Sequence, residues 1–101
     1  MRAALAAGLA LLLASPAGIC ADELGRKVFT EIAQPSCSIC HTLQAAGASG
    51  QVGPSLDELK PDRARVLEAV RKGLGVMPPF GDKLTPEQIE AVADYVAKAA
   101  K

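Results

Sequence analysis

Apolar positions along this chain recur at helical rather than strand spacing. From Asp22 to about Ala33, Leu24, Val28 and Ile32 return every fourth residue with Phe29 beside them, one stripe of an amphipathic helix, and Asp22 and Glu23 suit its positively polarised start. Gln34, Pro35 and Ser36 end that helix. Thr42 to Gly53 contains Gly47, Gly50 and Gly53 with little apolar order, and reads as loop. Pro61 and Asp62 open a second helix to about Lys72, with Val66, Leu67 and Val70 inward and Gly73 capping its end. In Gly73-Leu74-Gly75-Val76-Met77-Pro78-Pro79-Phe80, glycines before the methionine and prolines after it describe a rigid non-helical loop. Thr85, Pro86 and Gln88 supply an N-cap, a first-turn proline and a capping-box partner for a last helix through about Ala99. Its inward stripe is Ile89, Val92, Tyr95 and Val96. No segment alternates as a strand and no repeat is present, so the expected fold is all-α, with three to four short helices.

Residues 1–21 follow a different pattern. Arg2 precedes an apolar run from Ala3 to Ala14, and Pro16 and Gly18 then break it, which is the build of a secretory signal. The run is too short for a permanent membrane span, and Ile19-Cys20-Ala21 puts a small residue before Asp22 where cleavage is expected. Residues 22–101 then form the working domain, in the periplasm. Cys20 as a lipid-bearing N-terminus is the alternative, disfavoured by the bulky Ile19. Loss of Arg2 with the leader leaves the eleven acidic side chains facing ten basic ones. A domain near neutrality offers nothing to nucleic acid.

A domain of this size, with only Phe29, Phe80 and Tyr95 as aromatics, makes a thin core. Such scaffolds need a disulfide, a metal or a cofactor, because a bare core yields roughly 3–5 kcal/mol. The string Cys37-Ser38-Ile39-Cys40-His41 says which. On a helical turn the two thiols share a face and reach the vinyl groups on one edge of a porphyrin, and His41 follows to offer its imidazole to the iron. A Cys37–Cys40 disulfide would close a very short loop and stabilise little. Zinc would want four ligands, and no further Cys or His follows. A thioredoxin-like redox pair would want a strand-helix-strand setting that these helical flanks do not supply. His41 is the only histidine, so a second axial ligand must be of another kind. Met77, 36 residues downstream, is the only thioether outside the leader. A lone methionine is usually core filling; beside this motif it becomes the sixth ligand, and one covalent haem c with its iron is the expected cofactor.

With haem motif, Gly-Pro-x-Leu, methionine loop and C-terminal helix in this order, residues 25 to 96 resemble a class I cytochrome c, a small bacterial monohaem type. The resemblance implies a close crossing of the first and last helices, with Gly25 and Phe29 meeting Tyr95. It also implies that the Pro54 carbonyl accepts a hydrogen bond from the far nitrogen of His41, fixing that ring and raising its basicity, and that Leu56 packs on the haem face. A plain turn at Gly53-Pro54 is the alternative. The chain departs from the pattern in lacking tryptophan and the lysine excess of mitochondrial members, which leaves the seating of the haem propionates open. Short bacterial carriers and the cytochrome subunits that accept electrons from sulfite dehydrogenases are the nearest resemblance.

The implied function is single-electron transfer, not enzyme catalysis, because His/Met ligation leaves no open iron position. A dehydrogenase donor and a terminal oxidase or other cytochrome acceptor are the implied partners, met as a monomer or in transient complexes. Lys60, Arg63, Arg65, Arg71 and Lys72, against Asp62 and Glu68, form either a docking patch or a plain solvated helix face. A dedicated dehydrogenase subunit shares the mechanism. A peroxidase-like enzyme would need distal acid–base groups, and a gas or redox sensor would exchange Met77 for a diatomic ligand.

Overall fold

The structure, a computed structural model, describes residues 20–100, so the expected leader, Cys20 and Ala21 apart, lies outside the described residues. Five helices follow one another: α1 (Ala21–Lys27), α2 (Cys37–Cys40), α3 (Leu56–Leu59), α4 (Arg63–Lys72) and α5 (Pro86–Ala99). A two-stranded antiparallel ribbon, β1 (Thr42–Leu43) with β2 (Ala48–Ser49), stands between α2 and α3. The helical expectation holds, with two additions inside segments that read as loop. The ribbon is turned by Gly47 at φ 68°, and two-residue strands are too short to display alternation. The single turn α3 is nucleated by Ser55, whose side chain accepts from Glu58 N–H, and by an acidic first turn.

α1 does not stop at Lys27. It widens into a π-helical turn over Val28–Ile32, where the Ala33 N–H reaches back five residues to the Val28 carbonyl at 3.1 Å. Ser36 Oγ lies 3.0 Å and 3.1 Å from the carbonyl oxygens of Phe29 and Thr30 and accepts from the Ser38 N–H, so one hydroxyl ties the end of the first helix to the cap of α2. α4 begins on an Asp62 cap and ends at Gly73, φ 75°; α5 has its full capping box, with Thr85 Oγ1 accepting from Gln88 N–H at 3.1 Å and Gln88 Oε1 accepting from Thr85 N–H at 2.9 Å.

Most of the predicted inward stripes are buried: Val28 and Phe29 from the first helix, Val66 and Val70 from α4, and Ile89, Val92, Tyr95 and Val96 from α5, with Leu24 and Leu67 partly buried against them. Ile32, expected on the first stripe, is exposed at the end of the widened turn, where the π-helical register no longer follows a regular helix. α1 crosses α5 at Gly25, where a Cβ would lie 2.4 Å from both the Ala91 carbonyl oxygen and Tyr95 Cβ. One turn further, Phe29 meets the Tyr95 ring at 6.5 Å between centroids, tilted by 58°. The exposed Asp22–Lys98 ion pair at 2.9 Å adds little beside that burial.

The crossing generates a test of sign. Gly→Ala in a helix interior ordinarily stabilises by about 1 kcal/mol. Gly25→Ala is expected to destabilise the folded protein by about 1–3 kcal/mol, because the helices must separate. Guanidinium unfolding of both proteins measures it, and a stabilised variant would disprove the contact.

Candidate functional site

Every residue that the sequence offered for holding the cofactor lines one cavity of about 470 Å³: Cys37, Cys40, His41, Pro54, Leu56 and Met77. The remaining wall is largely apolar, with Phe29, Val66, Val70, Phe80, Val92 and Val96 reaching it from the first helix, α4, α5 and the segment before α5. Its volume is that of a site for a sizeable organic group, within the roughly 300–1,000 Å³ such sites occupy.

α2 carries both cysteines in a single helical turn, and His41 leaves it in extended conformation. The hairpin that follows folds back against α2. Thr42 Oγ1 donates to the Gly50 carbonyl at 2.9 Å, and Gly53 N–H donates to the Cys40 carbonyl at 2.7 Å. Gly50 passes so near α2 that a Cβ would sit 2.3 Å from the Ile39 carbonyl oxygen. This return delivers Pro54, whose carbonyl oxygen stands 2.8 Å from His41 Nδ1. A carbonyl only accepts, so Nδ1 carries the proton and Nε2 keeps a free lone pair, the tautomer required of a metal ligand. Gly53 leaves space for the ring, since a Cβ there would approach His41 Cε1 to 2.7 Å.

Met77 is held by its backbone. Its N–H and carbonyl both pair with Leu74 at 3.0 Å, closing a turn through Gly75 at φ 61° and Val76. Gly73 admits that turn, for a Cβ would meet the Met77 carbonyl oxygen at 2.6 Å and Pro79 N at 2.8 Å. Phe80 N–H then donates to the Val70 carbonyl at 2.7 Å, anchoring the loop to α4. Leu56 is buried at the start of α3, and Met77 is half-buried.

Burial pushes the Cys37 thiol up to about 11, with the Cys40 charge adding in the same direction against a backbone hydrogen bond. A thiol used for disulfide exchange needs the opposite shift. An apolar cavity with two thiols, an imidazole and a thioether on its wall fits an iron porphyrin instead. Sequence reasoning missed Ser36, Gly50 and Gly53, which hold the motif in place, and gave Arg65 no place on the cavity wall. Serine directly before the first cysteine was the one available signal, as an N-cap.

Comparison with known proteins agrees. A family model described as cytochrome c oxidase, cbb3-type, subunit III matches residues 21–96. A cytochrome c6 of Gloeothece citriformis is 36% identical over 85 residues, 76% of this chain and 70% of its own length. A quinohemoprotein alcohol dehydrogenase of Pseudomonas putida is 37% identical over 67 residues, 63% of this chain, which spans only 9% of that enzyme's length. The crystal structure of the c-type cytochrome SorU from Sinorhizobium meliloti superposes with a TM-score of 0.76 and 54% identity, covering 79% of this chain and 91% of that one. The chain therefore belongs to this cytochrome family: it is a small class I c-type cytochrome, an electron carrier with covalently bound haem c rather than an enzyme.

Proposed function

We propose that this cytochrome works in the periplasm as a single-electron carrier, with haem attached through Cys37 and Cys40 and iron held by His41 and Met77. The observation that most supports this reading is the 2.8 Å contact between His41 Nδ1 and the Pro54 carbonyl, which leaves the other imidazole nitrogen free to bind metal. When bound, the haem supplies a one-electron iron couple whose potential a methionine ligand raises relative to two nitrogen ligands. Pro54 orients His41 and increases its basicity, and Leu56 packs on the haem face. With haem bound, Met77 would be the second protein ligand beside His41, leaving no position on the metal for a substrate. The apolar wall of Val66, Val70, Phe80 and Val92 keeps water out and favours the less charged state.

Leu74 and Val76, 73% and 86% exposed, are wall residues that also face solvent beside Met77, giving a small apolar rim for brief encounters with partners. The charge around it is uneven. Arg63 is occupied by Glu90 and Asp94, whereas Lys72 is held only loosely by Glu68 at 3.7 Å and Arg71 makes no ion pair among the described residues. Arg71 and Lys72, which directly precede this rim in the chain, are its steering charges within the patch between Lys60 and Lys72. The likeness to a segment of an alcohol dehydrogenase supports a second reading, in which the carrier is the dedicated acceptor or subunit of a periplasmic dehydrogenase. A sulfite dehydrogenase is the first donor to test, with a terminal oxidase or another cytochrome as acceptor. Copurification at high salt with a donor enzyme supports the dedicated subunit; loss of the donor supports the free carrier.

Ferric protein is expected to show a c-type spectrum with the weak red sulfur-to-iron band, and ferrous protein to refuse carbon monoxide. Met77→Ala should abolish the band and admit carbon monoxide; a band that survives would remove Met77 from the metal. Gly53→Ala should drive the ring from the Pro54 carbonyl, speeding exchange of the His41 Nδ1 proton about fivefold for about 1 kcal/mol of lost hydrogen bonding; unaltered exchange by NMR would count against Pro54. Neutralising Arg71 and Lys72 together should slow reduction by the donor about tenfold at low salt and hardly at all at high salt, which stopped-flow kinetics at two ionic strengths will show.

A further inference from the structure

Three hydrogen bonds between the segment that carries His41 and the segment that returns against it share one register, each joining residues thirteen apart. Gly53 N–H donates to the Cys40 carbonyl at 2.7 Å, His41 Nδ1 donates to the Pro54 carbonyl at 2.8 Å, and Gln44 N–H donates to Asp57 Oδ2 at 2.8 Å. The contact that orients the histidine is therefore the middle rung of three. The outer rungs differ in kind. The first is backbone to backbone, whereas the last is made by the carboxylate of Asp57, a half-buried residue in the first turn of α3. No charge touches His41 itself along this ladder; the charged rung stands three residues further on in both segments.

Where a carbonyl points depends on the two soft dihedrals of its own residue. At Pro54 the ring locks φ, which leaves ψ to turn the oxygen toward Nδ1 or away from it. The Gly53–Cys40 bond fixes the chain entering Pro54. The chain leaving it runs into α3, so the position of α3 sets ψ. Ser55 caps α3 upon itself, through Glu58 N–H, and does not place the helix against its neighbours. Leu56 and Leu43 are buried in the same core, and α3 packs on β1, but apolar contact is non-directional and leaves the helix free to turn. The directional tie is the charge-assisted bond from Asp57 to the residue that follows β1. We propose that Asp57 is a positioning residue for His41: by pinning α3 to the segment after the histidine it sets ψ of Pro54 and keeps that carbonyl aimed at Nδ1. Asp57 thus acts only through the Pro54 backbone, and the proposal rests on the reading that His41 binds the haem iron.

A hydrogen bond from Nδ1 fixes the plane of the ring and raises the basicity of its other nitrogen. A more basic imidazole favours ferric iron and so lowers the potential. Loss of the Asp57 tie should therefore loosen the Nδ1 proton and raise the potential. Removing a negative charge near the iron raises the potential as well, so hydrogen bond and charge have to be separated. Two substitutions separate them. Asp57→Asn removes the charge and keeps an acceptor oxygen. Gln44→Pro keeps the charge and removes the donor. Gln44 opens a short 3₁₀ turn, where the φ of proline fits, and Leu43 before it is already extended at φ −151° and ψ 101°.

The test compares the haem-bearing parent with Asp57→Ala, Asp57→Asn, Gln44→Pro and Glu58→Gln, by NMR exchange of the His41 Nδ1 proton in the ferrous state and by midpoint potential. Asp57→Ala and Gln44→Pro should each speed exchange about threefold, part of the roughly fivefold that loss of a whole hydrogen bond gives, and both should raise the potential. Asp57→Asn should lie closer to the parent than to Asp57→Ala in both readouts. Glu58→Gln, which removes the neighbouring charge on the same helix, should leave exchange as it is. Exchange unaltered in Asp57→Ala and Gln44→Pro overturns the positioning role. An Asp57→Asn potential as high as that of Asp57→Ala overturns it too, because charge alone then accounts for the shift. If Asp57→Ala yields no haem protein, Gln44→Pro against Asp57→Asn decides by the same two readouts. Parent protein whose His41 ring protons lack the large ring-current shifts of an axial ligand would instead defeat ligation by His41, an outcome separate from any failure of Asp57.

Discussion

The close crossing of α1 and α5 at Gly25 is the contact on which the rest of the molecule depends. Without a Cβ at that position the two helices approach to backbone distance. Phe29 and Tyr95 then fill the angle beyond it. The same crossing turns Phe29, Val92 and Val96 toward the cavity, so the first and last helices together supply one side of it. A chain with three aromatic residues cannot make a large core of its own. It builds apolar walls about a cofactor instead, and the helices are short because each need only contribute a patch of that wall.

Control of His41 is achieved through backbone alone. The ribbon β1–β2 reverses the chain after the haem motif, Gly50 and Gly53 let it return against α2, and Pro54 arrives with a carbonyl aimed at Nδ1. Proline lends its carbonyl without a competing N–H of its own. Ser36 acts similarly on the other side of the motif, joining the widened end of the first helix to the α2 cap. The cysteines and the histidine are thus braced from both directions by hydrogen bonds that involve no charge.

Among the described residues, charge is kept to the perimeter. The ion pairs of the described residues are solvent-exposed and contribute little to stability. Arg65 is the one basic residue that borders the cavity, and it too is exposed.

Much of the fold was legible in the sequence because its signals are local. The Thr85-Pro86-x-Gln88 start of α5, the stripes in α1, α4 and α5, and the glycines and prolines around Met77 each act within a turn or two of chain. Cys37, Cys40 and His41 declare themselves by spacing, and Met77 by being the one methionine besides Met1. Other features became visible only when distant segments met. The ribbon and α3 are too short to carry a period, and Gly53-Pro54 by itself reads as an ordinary turn until its carbonyl is found beside His41. Arg65 sits among four other basic residues, and composition cannot say which of them borders the cavity. The sequence by itself determined where helices form and which atoms can hold a haem; the tertiary structure decided which carbonyl orients the histidine and which cation stands on the wall, because those depend on contacts between residues far apart in the chain.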